Sequence, residues 1–276
     1  MPRPMILASS GWYPCSKDAC KKEIEKFIDR KIFLEGRNPV SAIVPHAGWF
    51  FSGRLAINSI RLLKEKNGTI NNVFVFGGHL PPNGLTVCET FDVAETPFGE
   101  LPNNENLINF LKTENNIQFV EYVADNTIEI LLPIIKYYFP KATIGAIYLP
   151  PSVKTINLVE RIYDKFSENS VFIGSTDLTH YGPNYNFYHN DKSMSSYDWV
   201  KNVNDKKYIE LLLGLEKEKS LEYALKNKSA CSAGAAAGAL TIAQKKGIKN
   251  GYLVGYSNSY DIRKDESFVG YAGVIY

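Results

Sequence analysis

The chain has 276 residues, of which 45% are hydrophobic, so it can bury a large core, and we expect one domain spanning residues 1–276. Its 31 basic and 29 acidic residues are spread along the length and give a formal net charge of +2. We therefore expect neither nucleic acid nor a membrane surface as a partner. The apolar start is too short for a signal peptide, and no run approaches the ~18 apolar residues that span a bilayer, which predicts a soluble cytoplasmic protein.

Short apolar runs that end in polar or glycine turns alternate with helix-like segments. The runs are SAIVPHAG, NNVFVFGGH, ATIGAIYLP, SVFIGSTDLTH and GYLVGYSNS, and SFVGYAGVIY follows as a last strand. RLAINSIRLLKEKN and NTIEILLPIIKYYF are helix-like, while PPNGLTVCETFDVAETPFGELPNN is irregular and is interpreted as an excursion after the second strand. Continuous Val, Ile and Phe runs are typical of strands covered on both faces. The pattern predicts an αβα sandwich with a largely parallel or mixed central sheet.

Three of the four histidines follow predicted strands directly. His46 comes after SAIVP, His79 after NVFVFGG and His180 after VFIGSTDLT, whereas His189 lies in a polar loop. If the strands are parallel neighbours, the three imidazoles converge on one sheet edge, as a metal centre or an acid/base site requires. A single histidine at a strand end is more often a hydrogen-bonded structural residue, but three together favour a site.

Two further side chains extend this pattern. Asp177 precedes His180 by three residues and can orient an imidazole or bind metal, although an aspartate here also suits a helix N-cap. Cys231 begins the small-residue helical segment CSAGAAAGALTIAQ, where the helix dipole can stabilise a thiolate; close helix packing is the alternative explanation. The other cysteines, Cys15, Cys20 and Cys88, match no motif, and we expect them to be reduced and dispensable.

Several motifs occur in the order and approximate spacing of the Memo protein family, which the chain resembles over nearly its whole length. They are PHAGWFFSG at 45–53, GGHLPP at 77–82, DNTIEILLP at 125–133, STDLTHYG at 175–182 and the Cys231 segment. The resemblance implies a single Memo-like domain with the fold of class III extradiol dioxygenases, which are non-haem iron enzymes.

The resemblance also implies a site. His46, His79 and Cys231 correspond to the family's metal-binding cluster, which holds iron or copper, and Asp177 and His180 line the same pocket. A His/His/Cys set also suits zinc, and spacing alone does not name the metal.

The chain departs from the family pattern at two positions. Asn126 and Leu131 stand where the family's Glu-His-Ser-Ile-Glu-x-His-Leu-Pro run has histidines. The GGH turn around His79 is shorter than the family's usual Gly-Pro-Ser-His-His turn. The three ligands are kept while the supporting imidazoles are lost, so the sequence supports metal binding better than catalysis.

Two functions follow from these residues. As an enzyme, the protein is a metal-dependent oxidoreductase of unidentified substrate, with His180 as general acid/base and Asp177 tuning it. As a binding module, it is an adaptor that takes a peptide or metabolite in the same pocket, with aromatic surface from Trp12, Tyr13, Trp49 and Phe50, at least half of which we expect in the core. By resemblance, its partners include the radical-SAM protein and the third protein of the AmmeMemoRadiSam system, after which microbial relatives are named.

Overall fold

A computed structural model describes residues 1–34, 38–66, 68–190 and 193–276 of the chain. The helices are α1 Ile6–Ser9, α2 Lys17–Phe27, α3 Arg54–Lys66, α4 Glu105–Leu111, α5 Asn126–Glu129, α6 Leu132–Tyr138, α7 Val153–Phe166, α8 Ser196–Trp199, α9 Lys206–Leu213, α10 Lys217–Asn227, α11 Ala233–Lys245 and α12 Ser259–Ile262. The strands are β1 Ser41–Val44, β2 Asn72–Gly77, β3 Thr86–Glu89, β4 Val93–Ala94, β5 Leu101–Pro102, β6 Ile117–Val120, β7 Thr143–Tyr148, β8 Ser170–Ser175, β9 His180–Tyr181, β10 Tyr252–Asn258 and β11 Phe268–Ile275. The segments Trp49–Gly53 and Val200–Asp205 are π-helical, and Pro183–Tyr185 is a 3₁₀ turn.

Within these residues, nine strands form the main sheet in the order β10-β11-β1-β8-β2-β7-β3-β6, with β9 paired to β11. The four central strands β1, β8, β2 and β7 are parallel to one another. β11 is antiparallel to β1 and β10, and β3 is antiparallel to β7. The carboxyl ends of the four central strands therefore meet at one edge, where open α/β sheets bind ligands.

Helices cover both faces of this sheet. Alternate residues of one strand point to opposite faces, so Ala42 and Val44 join one apolar cluster while Ile43 joins another. Helix α3 contacts β1, β10 and β11 on the first face, and α11 contacts β1, β2 and β8 on the second. Burial on both faces explains why the strands are continuously apolar. The predicted αβα sandwich with a mixed, centrally parallel sheet is confirmed.

The structure differs from the sequence-based interpretation at three places. The segment interpreted as an irregular excursion contains β3, which joins the main sheet, and the small β4–β5 pair. NTIEILLPIIKYYF is helical, as predicted, but it forms two helices, α5 and α6, because Pro133 suits a first helical turn and lacks the N–H that a continuous helix needs. A hydrophobic period alone does not reveal such a break. Asp177 follows β8 in a segment that is not helical, so the alternative of a helix N-cap there is also wrong.

None of the helices in the described ranges has both the length and the apolar character needed to cross a membrane.

Candidate metal centre

The strand order places the three strand-end histidines together. His46 follows β1, His79 follows β2 and His180 begins β9 just after β8, which lies between β1 and β2. The turn before His79 requires glycine, because Gly78 has a φ of +102° and a Cβ there would lie 2.9 Å from the Tyr148 side chain. The short GGH turn thus directs the imidazole of His79 over the sheet edge.

His46, His79 and Cys231 form a compact cluster. One ligand atom from each lies within 4.8 Å of the other two, and Cys231 Sγ is 3.2 Å from His46 Nε2. The His46 and His79 rings are almost perpendicular, with centroids 5.2 Å apart. The separation of Cys231 Sγ and His46 Nε2 is close to that of two ligands on one tetrahedral ion with bonds of about 2.0–2.3 Å. The three side chains together form a group that could hold one metal ion.

Both histidines are oriented through their second ring nitrogen. His79 Nδ1 lies 3.0 Å from Asp125 Oδ2, and His46 Nδ1 lies 3.0 Å from Ser175 Oγ. A carboxylate only accepts hydrogen bonds, so the Nδ1 of His79 carries the proton and its Nε2 is the free nitrogen. Such outer partners are typical of metal-binding histidines. Neither partner was predicted from the sequence, although DNT before a helix predicts that Asp125 caps α5, which it does by accepting the N–H of Thr127.

The surroundings of Cys231 favour a thiolate. Burial raises the pKa of the Cys231 thiol, but the imidazoles of His46, His180 and His79 together lower it well below its ordinary value. The backbone N–H of Asp177 also donates to Sγ at 3.3 Å. The cysteine lies just before α11, as the sequence predicts, with Ser232 at the N-cap. Thiolate is the form that binds metal.

The two histidines in turn hold their protons more tightly than free imidazole does. Burial lowers the pKa of His79, but Asp125 and Cys231 raise it to about 10. Burial likewise lowers the pKa of His46, while Asp177 and Cys231 raise it above the ordinary value. Metal binding at such a site releases protons, because the ion needs neutral imidazole and thiolate.

Asp177 and His180 lie beside the cluster. Asp177 is buried and accepts the backbone N–H of His46 at 2.7 Å, and its Oδ2 is 3.9 Å from both His46 Nε2 and His180 Nε2. Burial raises the pKa of Asp177, which His46 partly offsets. The Nε2 of His180 is buried and has no hydrogen-bond partner among the described residues, and this ring contacts Tyr185 at a centroid distance of 4.7 Å. An orphaned nitrogen at this place fits a role toward a bound molecule.

A cavity of about 540 Å³ opens above the cluster. His46, His79, Asp177 and His180 line its floor, and it is of a size suited to a small molecule. The side chain of His79 is 40% exposed while that of His46 is 1% exposed, so the cluster is open on the His79 side. A ligand can reach the cluster from the cavity without unfolding of a protecting element.

Of the four aromatic residues considered as surface for ligand recognition, two line the cavity and two lie in the core. Trp12 and Phe50 line the cavity, and Phe50 is 68% exposed. Tyr13 and Trp49 are buried in the core, as expected for at least half of them.

The two residues that depart from the family pattern lie in different surroundings. Leu131 is fully buried in the apolar cluster beneath α3, as its helical face predicts. Asn126 lines the cavity, and its Nδ2 donates to the carbonyl of His46 at 3.0 Å, so it holds the ligand loop by hydrogen bonding but does not titrate.

The remaining histidine and cysteines lie outside the cluster. His189 stacks on Trp199 with centroids 4.6 Å apart. Cys15 is exposed, Cys20 and Cys88 are buried, and all are free thiols. Their dispensability stays a prediction.

The fold and the site together define the class of this protein: an αβα sandwich with a His/His/Cys cluster at the carboxyl ends of its central strands. The chain belongs to the Memo family, because the family model described as Memo-like protein matches residues 3–275. A MEMO1 family protein of Methanococcoides burtonii is 29% identical over 273 residues, covering 96% of each chain, and one of Thermoplasma volcanium is 28% identical over 96% of this chain and 94% of its own.

The fold also has a solved counterpart. The crystal structure of uncharacterized protein JW3007 from Escherichia coli K12 has a TM-score of 0.55 and 10% identity, covering 86% of this chain and 99% of that chain. At this identity the likeness supports the fold alone.

Proposed function

We propose that this protein binds one transition-metal ion through His46, His79 and Cys231 and uses it in a redox reaction on a small molecule. The observation that carries the proposal is the approach of three ligand atoms to within 4.8 Å of one another, in a cluster of which His46 and His79 line an open cavity. The thiolate-favouring environment of Cys231 and the outer partner of His79 support it. A purely structural cluster would not need a cavity above it.

Iron or copper is the proposed metal. A thiolate beside two imidazoles gives a donor set that suits copper, iron or zinc, and the thiolate increases the preference for copper. A bound redox metal would supply electron transfer and Lewis acidity to a molecule in the cavity.

The roles proposed for the neighbouring residues follow from their positions. His180 exchanges a proton with the bound molecule, because it lines the cavity and its Nε2, which lies 3.9 Å from Asp177 Oδ2, makes no hydrogen bond among the described residues. Asp177 holds the loop of His46 through the backbone N–H and stabilises positive charge on both imidazoles.

The alternative is a binding protein that takes a peptide or metabolite in this cavity without transforming it. Its support is Asn126, which occupies the cavity wall where the family pattern has a histidine and cannot transfer a proton at neutral pH. Exposed Phe50 offers apolar surface for such a ligand. Association with radical-SAM system proteins stays a prediction under either function.

Metal analysis of anaerobically purified protein tests the proposal. We expect about one ion per chain after reconstitution with Fe(II) or Cu(I), and loss of that ion in His46→Ala. Cys15→Ser is the matched control, because it removes an exposed thiol away from the cluster and should leave metal content unchanged. Protein that takes up no metal, or that keeps it in His46→Ala, would contradict the proposal.

Oxygen consumption then separates the two functions. The enzyme should consume O₂ in the presence of a candidate phenol or thiol only when loaded with metal. If the protein only binds a partner, the wild type and His46→Ala should bind that partner equally well, and neither should show metal-dependent O₂ uptake.

A further inference from the structure

The mouth of the cavity carries a guanidinium group that nothing in the metal cluster uses. Arg263 lines the cavity and lies over the Phe51 ring, with its guanidinium carbon 5.5 Å from the ring centroid. No carboxylate in the described part of the chain lies within ion-pair distance of this side chain, although Asp265 lines the same cavity. An arginine held in place and left without a counter-ion is available to an anionic ligand.

Arg263 is exposed, but the Phe51 ring favours its position beside the cavity. A guanidinium over an aromatic ring is attracted by the negative face of the ring, and its N–H groups remain available for hydrogen bonds to a carboxylate. Phe51 is itself anchored, because it packs against Leu55, Val269 and Tyr271. The backbone of Arg263 is fixed as well, since its N–H donates to Ser259 O at 2.9 Å where α12 ends.

The other wall residues indicate the body of the ligand. Aromatic side chains form much of the wall between the cluster and the mouth: Trp12, Phe50, Phe51, Tyr185 and Tyr271. An apolar or aromatic group buried there gains free energy in proportion to the area it removes from water. The cavity therefore combines aromatic surface with polar groups, and both Arg263 and Asp265 are among the residues that line it.

We infer that Arg263 is the specificity residue of this cavity and that its ligand is a small organic carboxylate, with an apolar body along the aromatic wall and its carboxylate on Arg263. The inference rests on the proposed function, because it places the ligand above the metal cluster. Asp265 opposes such a ligand: its Oδ1 accepts the N–H of Ser267 at 3.1 Å, and its negative charge repels a carboxylate.

Because Arg263 and Asp265 carry opposite charges, removing one or the other should change the affinity for a carboxylate in opposite directions. The probes are 3-phenylpropionate, 3-phenylpropanamide and 3-phenylpropylamine, which share one apolar body and differ in charge. We expect calorimetry to show the tightest binding for 3-phenylpropionate, and Arg263→Gln to weaken that binding about ten-fold or more, because a charge-assisted pair is lost. Asp265→Asn should strengthen it.

Lys264→Gln is the matched control. It removes the same charge one residue away, but Lys264 lines a different cavity with Tyr188 and Tyr197, so binding of 3-phenylpropionate should stay unchanged. An equal loss in Lys264→Gln and Arg263→Gln would show a general electrostatic effect and overturn the inference. Weaker binding of 3-phenylpropionate in Asp265→Asn would show that Asp265 supports the binding of this ligand instead of repelling it, and preference for the amide or the amine would show a neutral or cationic ligand; each contradicts the inference.

Zinc-loaded and metal-free proteins distinguish this inference from the proposed function. If metal removal abolishes 3-phenylpropionate binding while Arg263→Gln does not, the carboxylate binds the metal and the inference about Arg263 is wrong. If the wild type takes up no metal but binds 3-phenylpropionate through Arg263, the proposed metal function fails and the carboxylate site stands.

Discussion

His79 Nδ1 lies 3.0 Å from Asp125 Oδ2, and this contact fixes which nitrogen of the imidazole faces the cluster. Asp125 follows β6 in the chain, whereas His79 follows β2, and the two strands are not neighbours in the sheet. The contact forms because α5 returns across the end of β2, where Thr127 Oγ1 accepts the N–H of Gly78 at 3.0 Å.

Asp125→Asn should weaken metal binding by roughly ten- to a hundred-fold, as loss of an outer partner of a metal-binding histidine does. Asparagine caps a helix as well as aspartate, so the bond to Thr127 N and the stability of α5 should survive. Competition with a metal indicator measures the affinity, and thermal unfolding checks the fold. Unchanged affinity would show that Asp125 acts only as a cap.

The positions of the strand-end histidines were predictable because they follow from two simple rules of sheet structure. A continuous apolar run predicts a buried parallel strand, and parallel neighbours bring their carboxyl ends together, so His46, His79 and His180 converge. Cys231 needed the family resemblance, because a cysteine before a small-residue helix is equally compatible with close packing.

Asp125, Ser175 and Arg263 were not predictable in the same way. Their roles depend on which loop crosses which strand end, and polar residues in turns have many local explanations such as capping. The strand β3 was missed for a related reason: TVCE is short, and glycine and proline turns flank it, so its pairing with β7 is a tertiary effect that local pattern does not contain.

Leu131→Ala should lower the free energy of unfolding by ~2–5 kcal/mol, because Leu131 is fully buried and its truncation leaves a cavity. Metal content should not change, since the side chain faces the core rather than the ligand cavity. The matched control is Leu225→Ala on α10, where the leucine is 47% exposed and the cost should stay within about 0.5 kcal/mol. Urea unfolding measures both; equal effects would place Leu131 at the surface.

Arg3→Met should destabilise the protein by ~3–5 kcal/mol. The guanidinium is buried between Glu89 and Glu129, at 3.0 and 3.1 Å, and its removal leaves two buried carboxylates without a counter-charge. Arg161→Met is the control, because its pair with Glu114 is exposed and worth at most about 1 kcal/mol. Urea unfolding at neutral pH measures both, and an Arg3 effect as small as the control would show that water compensates the glutamates.

Asp205 gives a pH dependence with a definite sign. Its carboxylate is fully buried, accepts the N–H and hydroxyl of Thr179 and the hydroxyl of Tyr256, and its pKa is raised by burial to about 7 from 3.8. Because the folded state holds the proton more tightly, this contribution to stability is fully present below pH 3.8 and decreases by about 1.4 kcal/mol per pH unit until about pH 7.

Asp205→Asn should remove that slope. Urea unfolding of wild type and variant between pH 4 and about 7 should therefore show that the free energy of unfolding of the variant rises relative to that of the wild type as pH increases. His180 is the histidine that lowers the pKa of Asp205, so His180→Gln serves as the background in which the slope must persist. A difference that does not change with pH would mean that the carboxylate is already ionised in the folded protein.

His180→Ala should abolish turnover while leaving metal content nearly unchanged, whereas Cys231→Ser should reduce metal content. The two residues are expected to have different roles. Cys231 Sγ lies 3.2 Å from His46 Nε2 within the His/His/Cys cluster, while His180 Nε2 makes no hydrogen bond in the described chain and lines the cavity, where it can exchange a proton. A hydroxyl is a much poorer ligand than a thiolate, so serine retains the shape of the site without its affinity.

The comparison also tests whether loss of histidine at Asn126 and Leu131 has weakened catalysis more than binding. Neither residue can transfer a proton, so any acid/base step in the cavity passes through His180, with Asp177 beside it at 3.9 Å. Metal analysis and O₂ uptake are measured on variants whose thermal unfolding matches the wild type. If His180→Ala loses metal as completely as Cys231→Ser, then His180 is a fourth ligand, because its orphaned nitrogen would be coordinating the ion rather than moving a proton.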